Sequence, residues 1–386
     1  MKKLVMIGLL LMIIVACTPA QQAKSEGASK EPAKAAEQKP VEKIVLGAMF
    51  PLTGDGAAYG VPLSHQLELA VDEINANGGI NGAQIELRTE DSKCNAKDGA
   101  TAAQKLVEVD KVKVIFGGAC SGETLGAAPV TEAAKVILIS PSATSPKISQ
   151  AGDYVFRTAP SDAKAGEVAA NQALKMGFKK AAIISENSDY AQGLRDVFEK
   201  AFTAGNGTVV AKESYESSAA DFKTQILKVV RARPDVVYVV PQTPAAGIQV
   251  LKQLKEQNVK TQLLTSEVLI GRDVVKEHGN DMEGLIGIEQ AFDEKGPVAS
   301  KALKAYEDKY GAPPWPFYQS ATRDAAYLVA NAVQKDGLDG DKIRDDLYAT
   351  KDFDGAVGKL TLDKNGDAIL GYSVKQVNNS TLVVLA

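Results

Sequence analysis

The amino-acid sequence predicts an α/β protein made of two doubly wound lobes, each a parallel sheet with helices on both faces. One observation is the length, because 386 residues exceed what a single ordinary core requires and suggest two domains. A second is that short apolar runs alternate with longer amphipathic stretches from Ile44 onward, as strands and helices do in a parallel sheet. A third is that this alternation begins afresh after residue 160.

The first half of the alternation starts with the apolar run 44–50, which predicts a buried strand. In the following helix, Leu67, Ala70, Val71 and Ile74 share one face, and the sequence Asn77-Gly78-Gly79 ends it because glycine tolerates a left-handed cap. Further elements are expected as strands at 85–87, 112–116 and 136–139 and as helices at 102–107 and 123–134.

The second half predicts helices at 165–176, 190–202, 222–230 and 246–256, and strands at 181–185, 208–211, 236–240 and 262–264. The first crossing between the lobes is expected at 157–160. Two more helices, 298–309 and 321–335, precede a β-rich tail at 358–385. The tail contains Asp363-Lys364-Asn365-Gly366-Asp367, which is interpreted as a hairpin turn because it lacks the glycine and glutamate that a calcium-binding loop needs.

The N-terminus predicts export and membrane anchoring. Residues 1–16 have a charged start and an apolar run from Leu4 to Ala16, too short for a membrane span of about 20 residues but typical of a signal peptide. Ile14-Val15-Ala16-Cys17 resembles a lipobox, so Cys17 is expected to carry lipid; the alternative is a plain signal peptide cleaved elsewhere. Residues 17–43 have no aromatic side chain and predict a disordered tether.

Composition and motifs exclude several classes of function. A net charge of −4 without a long basic block argues against a nucleic-acid partner. Two distant histidines, His65 and His278, supply little for zinc chemistry or acid–base catalysis. The sequence has neither a Gly-x-Ser-x-Gly elbow nor a phosphate-binding loop. We therefore expect no enzyme, metal or cofactor.

The chain has three cysteines, an odd number for an exported protein. If Cys17 carries lipid, Cys94 and Cys120 remain as a pair that an oxidising compartment would allow to bond. The alternative is two free buried thiols.

Several stretches, in this order along the chain, resemble the periplasmic leucine/isoleucine/valine-binding protein family, whose members supply ABC transporters. They are 47–54 (GAMFPLTG), 75–82 (NANGGING), 91–94 (DSKC), 117–121 (GGACS), 139–146 (ISPSATSP) and 323–325 (RDA). The resemblance covers nearly all of 44–385. It implies a type I periplasmic binding fold, with lobe 1 at 44–158 and 290–360, lobe 2 at 159–289 and 361–386, and three hinge crossings. It also implies a Cys94–Cys120 disulfide.

The resemblance further implies a site for a small amino acid between the lobes. Ser121, before a helix, and Thr144, in the Ser142-Ala143-Thr144 turn, would bind the ligand's α-carboxylate, while a carbonyl near Ser142 would accept from the ammonium. Glu267 would hold the ammonium from the second lobe. Tyr59 and Tyr190 match aromatic positions at the cleft edge.

Each of these residues also has a structural interpretation. Ser121 and Thr144 are suited to cap helices or turns, Glu267 to a solvated loop, and the two tyrosines to half-buried packing. For the aromatic cluster 315–318, packing beside a proline-rich loop is favoured over a place in the cleft.

Pro241-Gln242-Thr243-Pro244 departs from the family pattern, since close members have aromatic residues there. Gln242 makes this wall smaller and more polar, which predicts a pocket that accepts other or more polar amino acids.

The family's role implies a monomer, anchored by lipid on the extracytoplasmic face, that delivers its ligand to the permease subunits of an ABC transporter. The alternative is a sensor of the same fold, for amino acids, amides or urea, that signals through a receptor.

Overall fold

The computed structural model describes residues 42–385. Its first sheet has the strand order β2-β1-β3-β4-β5, and every pairing is parallel. The strands are β1 (Lys43–Phe50), β2 (Gln84–Asp91), β3 (Val114–Gly117), β4 (Ile137–Ser140) and β5 (Val155–Arg157), and the helices between them are α1 (Ala57–Ala76), α2 (Ala96–Gln104) and α3 (Ser121–Ala134). A π-helical turn, Lys105–Val109, extends α2.

Alternating side chains of this sheet pack on opposite faces, as the pleat of a strand requires. Ala48 and Phe50 of β1 lie in the core shared with α1, whereas Met49 packs in the core shared with α2 and α3. Gly79, just beyond α1, has φ +70°, and a Cβ there would lie 2.0 Å from the carbonyl oxygen of Ala83, so only glycine suits the position.

The second sheet begins where the chain leaves the first. It comprises β6 (Lys180–Glu186), β7 (Thr208–Tyr215), β8 (Val236–Val240), β9 (Gln262–Ser266) and β10 (Ile286–Gln290), with helices α4 (Asp162–Lys175), α5 (Asp189–Ala204), α6 (Lys223–Ala232), α7 (Pro244–Glu256) and α8 (Arg272–His278). Ile183 packs with α4 and α5, and its neighbour Ile184 packs on the other face with α6 and α7. This sheet is therefore also doubly wound.

The remaining chain returns to the first sheet and then goes back to the second. It forms α9 (Pro297–Tyr310), α10 (Pro316–Asp336), α11 (Gly340–Tyr348), β11 (Phe353–Gly355) and β12 (Gly358–Leu360), followed by β13 (Tyr372–Asn378) and β14 (Thr381–Val384). Strands β13 and β14 extend the second sheet antiparallel, in the order β14-β13-β10-β9-β8-β6-β7. Leu362 and Ala368, which pair across the 363–367 turn, still pack in the core of the first sheet.

The chain thus passes between the two sheets three times: after β5, after β10 and before β13. The predicted fold class, two doubly wound lobes with three crossings, is confirmed. Most predicted elements agree to within a few residues, but α10 begins at Pro316 instead of 321. Helices α8 and α11 and strands β5, β10 and β11 were not predicted. Helix α11 is polar on most of its surface, and only Ile343 and Leu347 among its larger side chains are buried, so its apolar signal is weak.

Among residues 42–385, no helix combines the length and the apolar character needed to cross a membrane. The predicted signal peptide, the lipid-bearing Cys17 and nearly all of the predicted tether lie outside these residues.

Candidate functional site

The carboxyl ends of parallel strands from both sheets meet at one small cavity. Ligand sites of doubly wound sheets form at such ends, where loops leave the strands. Strands β3 and β4 of the first sheet lead to Ser121 and Ser142, and strands β6, β8 and β9 of the second lead to Tyr190, Gln242 and Glu267. The cavity has an empty volume of about 310 Å³ and is lined by Tyr59, Ala119, Ser121, Ser142, Tyr190, Gln242, Glu267, Val268 and Tyr318.

The first-sheet wall of the cavity includes the N-terminus of α3. Cys120 is the N-cap residue and Ser121 the first helical residue, so unpaired N–H groups and the positive end of the helix dipole point toward this wall. Cys120 is joined to Cys94 by a disulfide, which confirms the predicted pairing. This wall therefore suits a negatively charged group.

Buried Glu123 organises the same helix end. Its Oε1 accepts from the backbone N–H of Cys120 at 2.8 Å, and its Oε2 accepts from Cys94 N–H at 3.0 Å and from the Ser92 hydroxyl at 2.6 Å. A Cβ at Gly118 would lie 2.3 Å from Oε1 of Glu123, so the glycine leaves room for this carboxyl. Burial raises the pKa of Glu123 to about 7, although its hydrogen bonds oppose the shift.

The turn after β4 is fixed by hydrogen bonds to its own backbone. Ser140 Oγ accepts from Ala143 N–H at 2.9 Å, and Ser121 Oγ accepts from Ser145 N–H at 3.1 Å. The Ser142 hydroxyl donates to the carbonyl of Ala119 at 2.9 Å. The serine-rich sequence thus joins the β4 turn to the loop that precedes α3.

Arg157, which is fully buried at the end of β5, supports this turn from behind. Its Nη1 donates to the carbonyls of Ala143 at 3.3 Å and Ser145 at 3.0 Å, on either side of Thr144. Its Nε and Nη2 bind both oxygens of Asp367, at 2.6 Å and 2.9 Å. Asp367 belongs to the predicted hairpin turn, so one side chain connects the ligand-facing turn to the last crossing of the chain.

The second-sheet wall is dominated by Glu267, which follows β9 and is 7% exposed. Its Oε1 accepts from the hydroxyls of Tyr190 at 3.0 Å and Tyr318 at 2.9 Å. Its Oε2 is buried and has no hydrogen-bond partner. A buried carboxylate oxygen without a partner is costly, so this atom marks a place for a donor, above all a cation.

The only charged type of side chain that lines the cavity, among the described residues, is the acid Glu267. Burial raises the pKa of Glu267, against the two tyrosine hydrogen bonds that lower it. Burial also raises the pKa values of Tyr59, Tyr190 and Tyr318 well above the usual value, and the nearby Glu267 adds to each. Of the described residues, none that lines the cavity is Lys, Arg or His. The cavity therefore offers a negative group from one sheet and a helix N-terminus from the other.

Six of the eight predicted ligand residues line the cavity: Ser121, Ser142, Glu267, Tyr59, Tyr190 and Gln242. Ala143 and Thr144 lie in the turn behind it, each 1% exposed, and Thr144 Oγ1 is buried without a partner. Glu267 is buried and does not lie in a solvated loop. The role of each residue in ligand binding stays a prediction.

Three residues at the cavity, Ala119, Val268 and Tyr318, were not predicted as ligand contacts. Tyr318 belongs to the 315–318 cluster, for which packing was favoured; Trp315 does pack, with its ring 4.4 Å from that of Tyr59, whereas Tyr318 lines the cavity. Val268 follows directly after Glu267. Tyr318 lies in the first turn of α10, where neighbouring side chains point in different directions. Identifying Tyr318 as a cavity residue would have required the correct first residue of this helix.

A wider groove adjoins the cavity and shares Glu267 and Tyr318 with it. It has an empty volume of about 1740 Å³ and carries charged side chains of both signs, including Arg272, Glu294 and Lys375. Across residues 42–385, no group of three or more His, Cys, Asp or Glu side chains is arranged to hold a metal ion.

The family model of periplasmic binding proteins matches residues 43–381. This chain belongs to the periplasmic binding protein family. The family is one of solute-binding proteins and is not a family of enzymes.

Relatives of this periplasmic binding protein include a Leu/Ile/Val-binding protein homolog from Brucella melitensis, 29% identical over 84% of this chain and 88% of that protein. A leucine-binding protein from Thermotoga maritima is similar in structure, with a TM-score of 0.81, 26% identity and coverage of 89% of this chain and 98% of that one. The branched-chain amino acid transporter substrate-binding protein of Streptococcus pneumoniae, solved with isoleucine, has a TM-score of 0.79 and 29% identity, covering 89% and 99%.

Proposed function

We propose that this protein captures a single small amino acid in the cavity between its two sheets and delivers it to the permease of an ABC transporter. The observation that carries the proposal is Glu267: a buried carboxylate with one unpartnered oxygen, in a cavity whose opposite wall is the N-terminus of α3. A zwitterion that leaves water needs both of its charges compensated, and these two features compensate opposite charges.

The roles of individual residues follow from their positions. Ser121 and the Ser142-Ala143-Thr144 turn bind the α-carboxylate through hydroxyl and N–H groups. Oε2 of Glu267 accepts from the ammonium. Each charge-assisted hydrogen bond contributes about 1.5–3 kcal/mol to binding. Tyr59, Tyr190 and Gln242 shape the space around the ligand's side chain.

The relatives support an amino acid as the ligand. The Brucella relative is named a Leu/Ile/Val-binding protein homolog, and the pneumococcal structure contains isoleucine. Gln242 supports a more polar preference in this chain, because its side chain borders a cavity that has only Val268 and Ala119 as aliphatic lining. We propose that serine, threonine or glutamine is accepted at least as well as leucine.

Binding closes the two lobes by a population shift, since a ligand that touches both walls has its highest affinity for the closed form. Packing supports one change in the predicted lobe boundaries. Leu362 and Ala368 belong to the core of the first sheet, so 361–370 is assigned to the first lobe and the second lobe resumes at β13.

The protein acts as a lipid-anchored monomer at the extracytoplasmic face of the membrane, without catalysis or a cofactor. Support for the anchor comes from the Ile14-Val15-Ala16-Cys17 sequence. Labelling cells with a fatty-acid analogue tests it: the full chain should be labelled, and its Cys17→Ala variant should not. Labelling of both would place the lipid elsewhere.

Titration of the purified protein tests the ligand. A thermal-shift screen of the twenty amino acids should identify at least one that stabilises the fold, by about 2.7 kcal/mol at a hundredfold excess over Kd. Calorimetry should then rank serine, threonine, glutamine and leucine; leucine far ahead of the others would reject the polar preference.

Two ligand analogues make the test sharper. Removal of the amino group or of the carboxyl group from the best ligand deletes one charge and leaves the side chain intact. Both analogues should bind at least tenfold more weakly, because each leaves one wall of the cavity uncompensated. Equal binding of the deaminated analogue would contradict the role of Glu267.

A further inference from the structure

A second buried acid, Asp162, has no assigned role and lies on α4, a helix that packs against β9, the strand that Glu267 directly follows. Asp162 is the first residue of α4 and follows the first crossing, with its backbone N–H bonded to the carbonyl of Thr144 at 2.9 Å. Its side chain is 0% exposed, and neither carboxyl oxygen has a partner at hydrogen-bonding geometry. The side chain of Thr144, whose own hydroxyl is also buried without such a partner, is the one donor that acts on this carboxyl and lowers its pKa. Asp162 is the only carboxyl group, in the part of the chain described here, whose two oxygens are both buried without a partner at hydrogen-bonding geometry.

The surroundings of Asp162 supply little positive charge. Arg157 is the one cation that acts on it, and the donors of Arg157 bind Asp367, Ser149 and the carbonyls of Ala143 and Ser145. Glu289, which acts on Glu267, is itself paired with Lys375. The titratable and charged groups that face Asp162 are Arg157 from β5, Tyr190 from α5, Tyr238 from β8, Glu267 after β9, Tyr318 from α10 and Tyr372 from β13.

Two carboxyl groups that share a buried, cation-poor space cannot both be charged at low cost. Burial, with Glu267 as the next cause, holds the pKa of Asp162 well above its usual range, and burial also raises the pKa of Glu267. Both shifts favour a pair that keeps one proton when no ligand is bound, and two carboxyls coupled in this way titrate as a unit.

We propose that Asp162 and Glu267 form a proton-sharing pair, and that the ammonium group of the incoming amino acid expels this shared proton to solvent. The proposal rests on the function proposed above. The ligand's ammonium provides the positive charge that lets both carboxylates ionise, so at the acid pair one positive charge replaces another, while the ligand's carboxylate is compensated at the opposite wall and the proton goes to solvent. Asp162 does not line the cavity; it is a positioning residue that acts through Glu267.

The sign of the pH dependence follows from this exchange. The complex binds fewer protons than the free protein, so affinity rises with pH until the free pair has lost its proton, and is flat above that point. Where the exchange is complete, one proton corresponds to about a tenfold gain in affinity per pH unit. A single acid already ionised in the free protein would give no such slope.

Calorimetry tests the exchange with the tightest binder among leucine, serine, threonine and glutamine. Titrations at one pH near neutrality, in phosphate and in Tris, report the protons released because the two buffers differ in ionisation enthalpy. We expect close to one proton released per ligand, and affinity that rises with pH until the unliganded pair has lost its proton. In Asp162→Asn, ligand binding should persist, proton release should be lost and the affinity should be flat with pH.

Glu186→Gln is the matched control. Glu186 is another buried acid near the cavity with a raised pKa, and its Oε2 accepts from Gln242 N–H at 2.8 Å. This variant should still release the proton. Loss of release in Glu186→Gln but not in Asp162→Asn would overturn the assignment to Asp162.

Infrared difference spectra of the wild-type protein keep the test independent of any variant's folding. Ligand addition should remove the C=O stretch of a protonated carboxyl. Amino-acid binding with no proton release and no loss of this band would overturn the shared proton and leave the proposed function intact. Absence of binding by all twenty amino acids would instead reject the proposed function.

Discussion

The Tyr318 hydroxyl donates to Oε1 of Glu267 across 2.9 Å and thereby joins α10, which packs on the first sheet, to the turn after β9 of the second. Tyr190 donates to the same oxygen from within the second sheet's own layer. Both hydroxyls are on one oxygen, so Oε2, which is buried without a partner, is the atom proposed to accept from the ligand's ammonium. The carboxylate is thus held in position before a ligand arrives, which lowers the entropic cost of binding.

Glu267→Gln should weaken amino-acid binding by about 10-fold to 150-fold, because it removes one charge-assisted hydrogen bond worth about 1.5–3 kcal/mol. The amide oxygen can still accept from Tyr190 and Tyr318, so the fold should persist. Isothermal titration measures the change. Glu256→Gln, at an exposed acid at the end of α7, is the matched control and should bind normally. Unchanged affinity in Glu267→Gln would remove the ammonium role.

Tyr318→Phe should weaken binding about 2-fold to 10-fold, since it deletes one neutral donor worth about 0.5–1.5 kcal/mol from the carboxylate. Gln290 Nε2 would also lose the acceptor that it contacts at 3.0 Å. Tyr215→Phe is the control, because that hydroxyl is buried without a partner and its removal should be nearly neutral. Equal effects of the two variants on affinity would show that the Tyr318 hydroxyl does not support Glu267.

The sequence predicts these lobes well because strand–helix alternation and apolar runs are local signals. The run 236–240, for example, coincides with β8 in full. It also places Glu267 at the site, through its resemblance to a known family. Tyr318 and Asp162 were missed for a physical reason. An aspartate in the first turn of a helix is common, and the buried surroundings that set Asp162 apart include Glu267, Tyr238 and Tyr372, which are distant in sequence.

Asp367→Asn should lower the free energy of unfolding by about 3–5 kcal/mol, because it leaves the buried Arg157 guanidinium without its countercharge. Affinity should also fall, since Arg157 holds the carbonyls on either side of Thr144. Urea unfolding measures the first effect and calorimetry the second. Asp308→Asn breaks an ion pair with Lys304 in which both side chains are 63% exposed, and it should cost less than about 1 kcal/mol. Similar losses in the two variants would argue against a structural role for the buried pair.

Stability should decline as pH rises from about 5 to 7, and Glu123 should account for part of the decline. Its pKa is raised to about 7 in the folded protein by burial, so the folded state binds more protons than the unfolded state in this window. The stabilisation is fully present below the unfolded pKa and is lost as pH passes the folded value. Asp324, raised to about 6, acts in the same direction.

Thermal unfolding of Glu123→Gln between these pH values separates the two acids. The Tm of the variant should fall less steeply with pH than that of the wild type. The variant should also be less stable at every pH, because the NH2 group of the glutamine side chain would face the backbone N–H of Cys94 or Cys120, where a carboxyl oxygen now accepts a hydrogen bond. The slope is the decisive quantity, since lost hydrogen bonds lower Tm at every pH by a similar amount. A wild-type slope in the variant would mean that Glu123 stays ionised in the fold, held by its three donors against the effect of burial.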